Sequence, residues 1–128
     1  MPNISTRPTQ LPEELGMYVD ALRKKCPAID QVWLLGPRAN DPESRGTDWD
    51  LLLFADARVL REVRSDASWR RGDLNLMIVT DGDRFESAWG EPAGSLAAMQ
   101  WRLDDPQSAT YLDGAGDSEN RAAAVRVR

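Results

Sequence analysis

Two short apolar runs with a polar loop between them constrain this chain most. Val32-Trp33-Leu34-Leu35 ends in Gly36, and Asp48-Trp49-Asp50 opens the run Leu51-Leu52-Leu53-Phe54. Runs of this length, bounded by turn residues, read as buried strands. On a strand, residues i and i+2 share a face, so Asp48 and Asp50 point the same way, towards whatever the Gly36 loop encloses. Two carboxylates that close repel unless a cation lies between them or one takes a proton. Hard oxygen ligands of this kind suit Mg²⁺. An Asp-x-Asp alone is often only a solvated turn. The weight here falls on the combination with a strand ending in Gly and a polar site on a later strand.

The flanking residues supply helices and a third strand. Pro12 suits a first helical position, with Glu13 and Glu14 in the first turn, where the helix dipole favours acids. Leu11, Leu15, Tyr18, Val19, Leu22 and Cys26 recur on one helical face, and Pro27 ends the pattern. Gly16 costs such a helix about 1 kcal/mol relative to Ala. Strands are expected near 31–35, 49–55 and 74–80, with a short helical turn in the loop near Arg38. Asp56 is placed as the N-cap of a short helix carrying Val59, Leu60 and Val63. Strand, crossover and strand predict an α/β or α+β fold, a mixed sheet with helices packed mainly on one face.

Beyond Arg84 the periodicity weakens. Phe85, Trp89, Trp101, Tyr111 and Leu112 are too many large apolar groups for a disordered tail. Leu96 to Leu103 fits a strand or a helix. Asp105-Pro106 reads as an N-cap and first position of a short helix through Leu112. Asp113 to Glu119 is Gly- and acid-rich and reads as disordered. Arg121 to Arg128 is basic and Ala/Val-rich, which fits a frayed tail or a partner-binding one. The expected organisation is one domain over 1–112, with a loose arm at 1–10, and a disordered tail over 113–128.

Composition removes several function classes. With 128 residues the chain can bury one core. It has no His, which excludes His acid/base catalysis, Ser-His triads and the usual Zn sites. Its single cysteine, Cys26, cannot form an internal disulfide and reads as an inert core or boundary thiol. A net charge of −5 argues against general nucleic-acid binding. The first residues lack the apolar core of a signal peptide, and no run approaches membrane-spanning length, so the cytoplasm is the default location.

The pattern Leu34-Leu35-Gly36-Pro37-Arg38-Ala39, then Thr47-Asp48-Trp49-Asp50-Leu51-Leu52, resembles the nucleotidyltransferase superfamily of the DNA polymerase beta type, especially its minimal members. The resemblance spans roughly Leu15 to Val79. It implies that Asp48 and Asp50 bind Mg²⁺, or Mn²⁺, which clamps the phosphates of a nucleoside triphosphate such as ATP. It also implies that Gly36 lets the backbone approach the phosphates, with Pro37 and Arg38 beside it. Pro37 departs from the family's serine and has neither hydroxyl nor N–H to offer a phosphate. Arg38 is a candidate phosphate contact that offsets this, or a solvated loop arginine. Family members carry a third carboxylate on a neighbouring strand. Here that place falls to Asp73, which completes the triad, or to Asn75, which can ligate weakly but cannot act as a base. As bland alternatives, Asp73 is a turn residue after Gly72 and Asn75 a solvent-facing or edge position.

Two kinds of function follow from the resemblance. One is transfer of a nucleoside monophosphate from the triphosphate to a hydroxyl on a small molecule or protein. The other is a degenerate module of the same fold that works by binding, in the manner of an antitoxin partnering a small helical toxin. Asp48 and Asp50 favour the enzyme, whereas Pro37 and Asn75 favour the module. A third reading takes the Asp-x-Asp as accidental in a structural domain. A chain this short needs a protein partner or a homodimer to close a site.

Overall fold

The computed structural model describes residues 11–36, 39, 48–90, 93–112 and 121–128. Helix α1 runs Glu13–Lys25, with acids in its first turn and Arg23, Lys24 and Lys25 in its last. It buries Leu15, Val19 and Leu22. The Cys26 N–H closes it onto the Leu22 carbonyl. Strands β1 (Gln31–Leu35) and β2 (Trp49–Phe54) follow, then α2 (Ala57–Ser65) and a single 3₁₀ turn, Ala67–Trp69. Asp56 caps α2, its carboxylate accepting the Arg58 and Val59 N–H groups. Strand β3 is Leu74–Val79 and β4 is Arg84–Ser87. After them come β5 (Ala93–Ser95), β6 (Arg102–Asp105), β7 (Ser108–Leu112) and β8 (Arg121–Arg126).

All eight strands belong to one sheet, in the order β5-β4-β3-β2-β1-β8-β7-β6. β2 and β3 are parallel, joined by the α2 crossover, and the remaining pairs are antiparallel. The helices Glu13–Lys25 and Ala57–Ser65 with this mixed sheet make the fold α+β.

The central strands are apolar on both faces because both faces are covered. On one side Val32, Leu34, Leu51, Leu53, Leu76 and Ile78 pack with Leu15, Val19 and Leu22 of α1 and Val59, Leu60 and Val63 of α2. On the other, Trp33, Leu35, Leu52 and Val79 pack with Phe85, Leu96, Ala109, Tyr111 and Ala124, so the sheet curls over its own second face. Each fully buried Leu or Ile in these layers contributes about 1.5–3 kcal/mol by leaving water.

The structure corrects several expectations. Arg121 to Arg126 is not a tail but β8, an inner strand between β1 and β7, and Ala124 is fully buried in it. Its small side chains fit a strand packed on both edges, where a larger residue would crowd the second core. Asp105-Pro106 does not start a helix but turns the β6–β7 hairpin. Asp105 accepts the Gln107 N–H there, the bond an N-cap would make, and the chain then pairs as a strand. Of the stretch Leu96 to Leu103, Leu96 to Gln100 is a turn, and Arg102 and Leu103 belong to β6. The expected strand to residue 55 ends at Phe54, although the Ala55 N–H still bonds the Val79 carbonyl. The loose arm at 1–10 and the stretch 113–119 lie outside the described residues. Among the described residues no helix is long and apolar enough to cross a membrane.

Candidate functional site

A row of polar groups crosses the sheet on the face opposite the helices, at the end of β1. Leu35 of β1 stands opposite Asp50 of β2, and Asp50 stands opposite Asn75 of β3. The Asn75 side-chain amide donates from Nδ2 to Asp50 Oδ1 at 2.8 Å. On the other side of Asp50, Gly36 leaves β1 with φ +77°, in the left-handed region. A Cβ at Gly36 would lie 2.8 Å from Asp50 Oδ2, so the missing side chain makes room for the carboxylate. The Gly36 N–H donates to the Tyr111 hydroxyl of β7 at 2.9 Å. Asn75, Asp50, Gly36 and Tyr111 are thus linked across the sheet.

Asp50 is half-buried, and its carboxyl is held above the usual carboxylate range. Burial is the main cause and the Asp48 charge adds to it, while the Asn75 hydrogen bond opposes both. Asp48 lies just before β2, exposed, on the Asp50 side by strand alternation.

Asp73 is tied elsewhere. Its carboxylate takes both Nε and Nη2 of Arg71 at 3.0 Å, and Arg71 lies 6.0 Å from the ring centre of Tyr18 on α1. Its carbonyl accepts the Trp49 N–H, which docks the start of β3 against β2. Asn75, not Asp73, is therefore the residue that meets Asp50. Pro37 and Arg38 lie outside the described residues, while Ala39 is buried and donates its N–H to the Gly36 carbonyl. Cys26 is a buried free thiol whose pKa is pushed up by burial.

Among the described residues no three acidic, His or Cys side chains gather as a metal cage. The donors on this face are the pair Asp48 and Asp50. Mg²⁺ is usually held by one or two carboxylates, with phosphate oxygens and water completing its shell, so these two residues are the ones that could offer it ligands. Sequence reasoning missed two residues, Arg71 as the partner of Asp73 and Tyr111 as the partner of Gly36. Arg71 was findable, two positions from Asp73. Tyr111 is 75 residues from Gly36 and carries no local signal. No family model, curated protein or solved structure matches this chain.

Proposed function

We propose that this chain is a nucleotidyltransferase-like domain that binds a nucleoside triphosphate with Mg²⁺ or Mn²⁺ and has lost fast transfer. The observation that carries the reading is the Asn75–Asp50 hydrogen bond. It puts a neutral amide, on the strand parallel to β2, where a third carboxylate would act. An amide cannot take a proton from an acceptor hydroxyl, and losing a general base costs roughly 10²–10⁴-fold in rate. Asp73, the other candidate, is paired to Arg71. The phosphate loop is weakened as well, since Pro37 has no N–H and the Gly36 N–H is already given to Tyr111.

Binding survives these losses. Asp48 and Asp50 would hold the cation, which neutralises phosphate charge when bound. A cation also suits Asp50, because it offsets both burial and the Asp48 charge.

The test is titration of the protein with Mg²⁺·ATP and the other triphosphates by calorimetry, alongside label transfer from the same nucleotides. Metal-dependent binding that disappears in Asp50→Ala, without label transfer, is the expected result. Turnover by wild type at ordinary enzyme rates overturns the loss of transfer. Absence of any metal-dependent nucleotide binding overturns the reading as a whole.

A further inference from the structure

Tyr111 comes to the candidate site from β7, which neighbours β1 only through β8. Its ring is fixed by packing. It is 7% exposed and lies nearly parallel to Trp101, with centroids 6.3 Å apart, and Trp101 in turn meets Trp33 edge-on at 5.1 Å. Phenylalanine would fill that space equally well, so packing does not account for the hydroxyl. The hydroxyl accepts the Gly36 N–H at 2.9 Å. Gly36 lies just beyond the last ladder pairs of β1, in a backbone conformation that gives it no rigidity of its own.

We infer that Tyr111 is a positioning residue of the Asp50 site, acting through Gly36. Its hydroxyl pins the Gly36 backbone, and the Gly36 backbone forms one wall of the Asp50 carboxylate, against Oδ2. Asn75 holds the opposite oxygen, Oδ1. The carboxylate thus stands between two supports, one on β3 and one that depends on β7. Without the hydroxyl, the Gly36 N–H loses its anchor and the residue keeps only the Ala39 N–H on its carbonyl, so the wall against Asp50 Oδ2 loosens while Asn75 still holds Oδ1. The consequence for ligand binding rests on the proposed metal–nucleotide reading, whereas the placement of Asp50 does not.

The experiment uses Tyr111→Phe in the full chain, with two readouts. The Asn75 side-chain amide signals in a ¹⁵N spectrum report the Asp50 carboxylate from the side remote from Tyr111. They are expected to shift and to exchange with solvent several-fold faster in the variant. Affinity for Mn²⁺·ATP is expected to fall about 3–10-fold, the usual weight of one neutral hydrogen bond. A purely structural tyrosine would lower the melting temperature and leave the Asn75 signals in place, and that result overturns the inference. If Tyr111→Phe does not fold, 3-fluorotyrosine at position 111, kept at about pH 6 where the phenol stays neutral, preserves the ring and weakens the hydroxyl as an acceptor. The same Asn75 shift, smaller, is then expected, and its absence overturns the inference. Wild type that fails to bind Mn²⁺·ATP refutes the nucleotide reading, while the Asn75 signals still decide the role of Tyr111.

Discussion

Asn75 stands directly opposite Asp50 on a parallel pair of strands and donates its amide to Oδ1 at 2.8 Å. This contact satisfies a half-buried carboxylate without a second charge. A carboxylate at position 75 would repel Asp50 unless a cation or a proton intervened. Asn75 thus offers a neutral donor where an acid would place a like charge across the ladder.

Replacing Asn75 by Asp should turn that difference into a measurable metal dependence. Asn75→Asp loses the amide donor and adds a like charge, so the metal-free protein should lose about 1–2 kcal/mol at neutral pH. Millimolar Mg²⁺ should restore most of it. Urea unfolding with and without Mg²⁺ measures both, and a variant as stable as wild type without metal would contradict the geometry. If label transfer appears with the added acid, the third position limits catalysis.

The raised Asp50 pKa fixes the sign of a pH effect. A carboxyl that holds its proton more tightly when folded than when unfolded loses stability as pH rises from about 4 through its folded value. The loss persists at neutral pH. Asp50→Asn, which can still pair with Asn75, should therefore be more stable than wild type at pH 7 without divalent cations. The gain should be under about 1 kcal/mol, because the group is partly exposed and screened. The advantage should vanish below about pH 4, where both states of wild type are protonated. Thermal melts from pH 3 to 8 would contradict this if the advantage grew on acidification.

Gly36→Ala should injure the site more than the fold. The left-handed conformation costs a non-glycine residue about 1–2 kcal/mol. The new Cβ would also displace Asp50 Oδ2, from which it lies 2.8 Å. Adding Asp50→Ala removes the clash and leaves the backbone cost. In a double-mutant cycle the pair should therefore be less destabilised than the sum of the singles. Strict additivity of the two unfolding free energies would show that Gly36 and Asp50 are not in contact.

Deleting residues 121–128 distinguishes a strand from a tail. β8 supplies a partner to both β1 and β7, and the Arg128 side chain holds Asp20 of α1 at 2.7 Å. Its loss should abolish the cooperative thermal transition and expose apolar surface to a fluorescent dye. Unchanged melting after the deletion would mean that β1 does not need this neighbour.

The legible parts of the chain are those whose signal is local. Alternation and run length locate β1, β2 and β3 to within a residue or two at each end. Helical spacing and the acidic first turn locate α1, and Asp56 locates α2 through its bonds to the next backbone N–H groups. Asp105 shows where local chemistry stops deciding. Its carboxylate accepts the N–H two residues on, as Asp56 does, yet a strand follows and not a helix. The difference lies in β8, which offers Ser108 to Leu112 a ladder.

The sequence alone determined an apolar three-strand centre and the helices Glu13–Lys25 and Ala57–Ser65, because each depends on residues a few positions apart. Tertiary structure decided that Arg121 to Arg126 lies inside the sheet, that Asn75 and not Asp73 meets Asp50, and that Tyr111 reaches Gly36. The first and last of these join residues about 75 or more positions apart, and the second depends on strand register. Register and long-range pairing are chosen by which buried faces fit together, and a one-residue slip would turn every side chain on β3 to the other face.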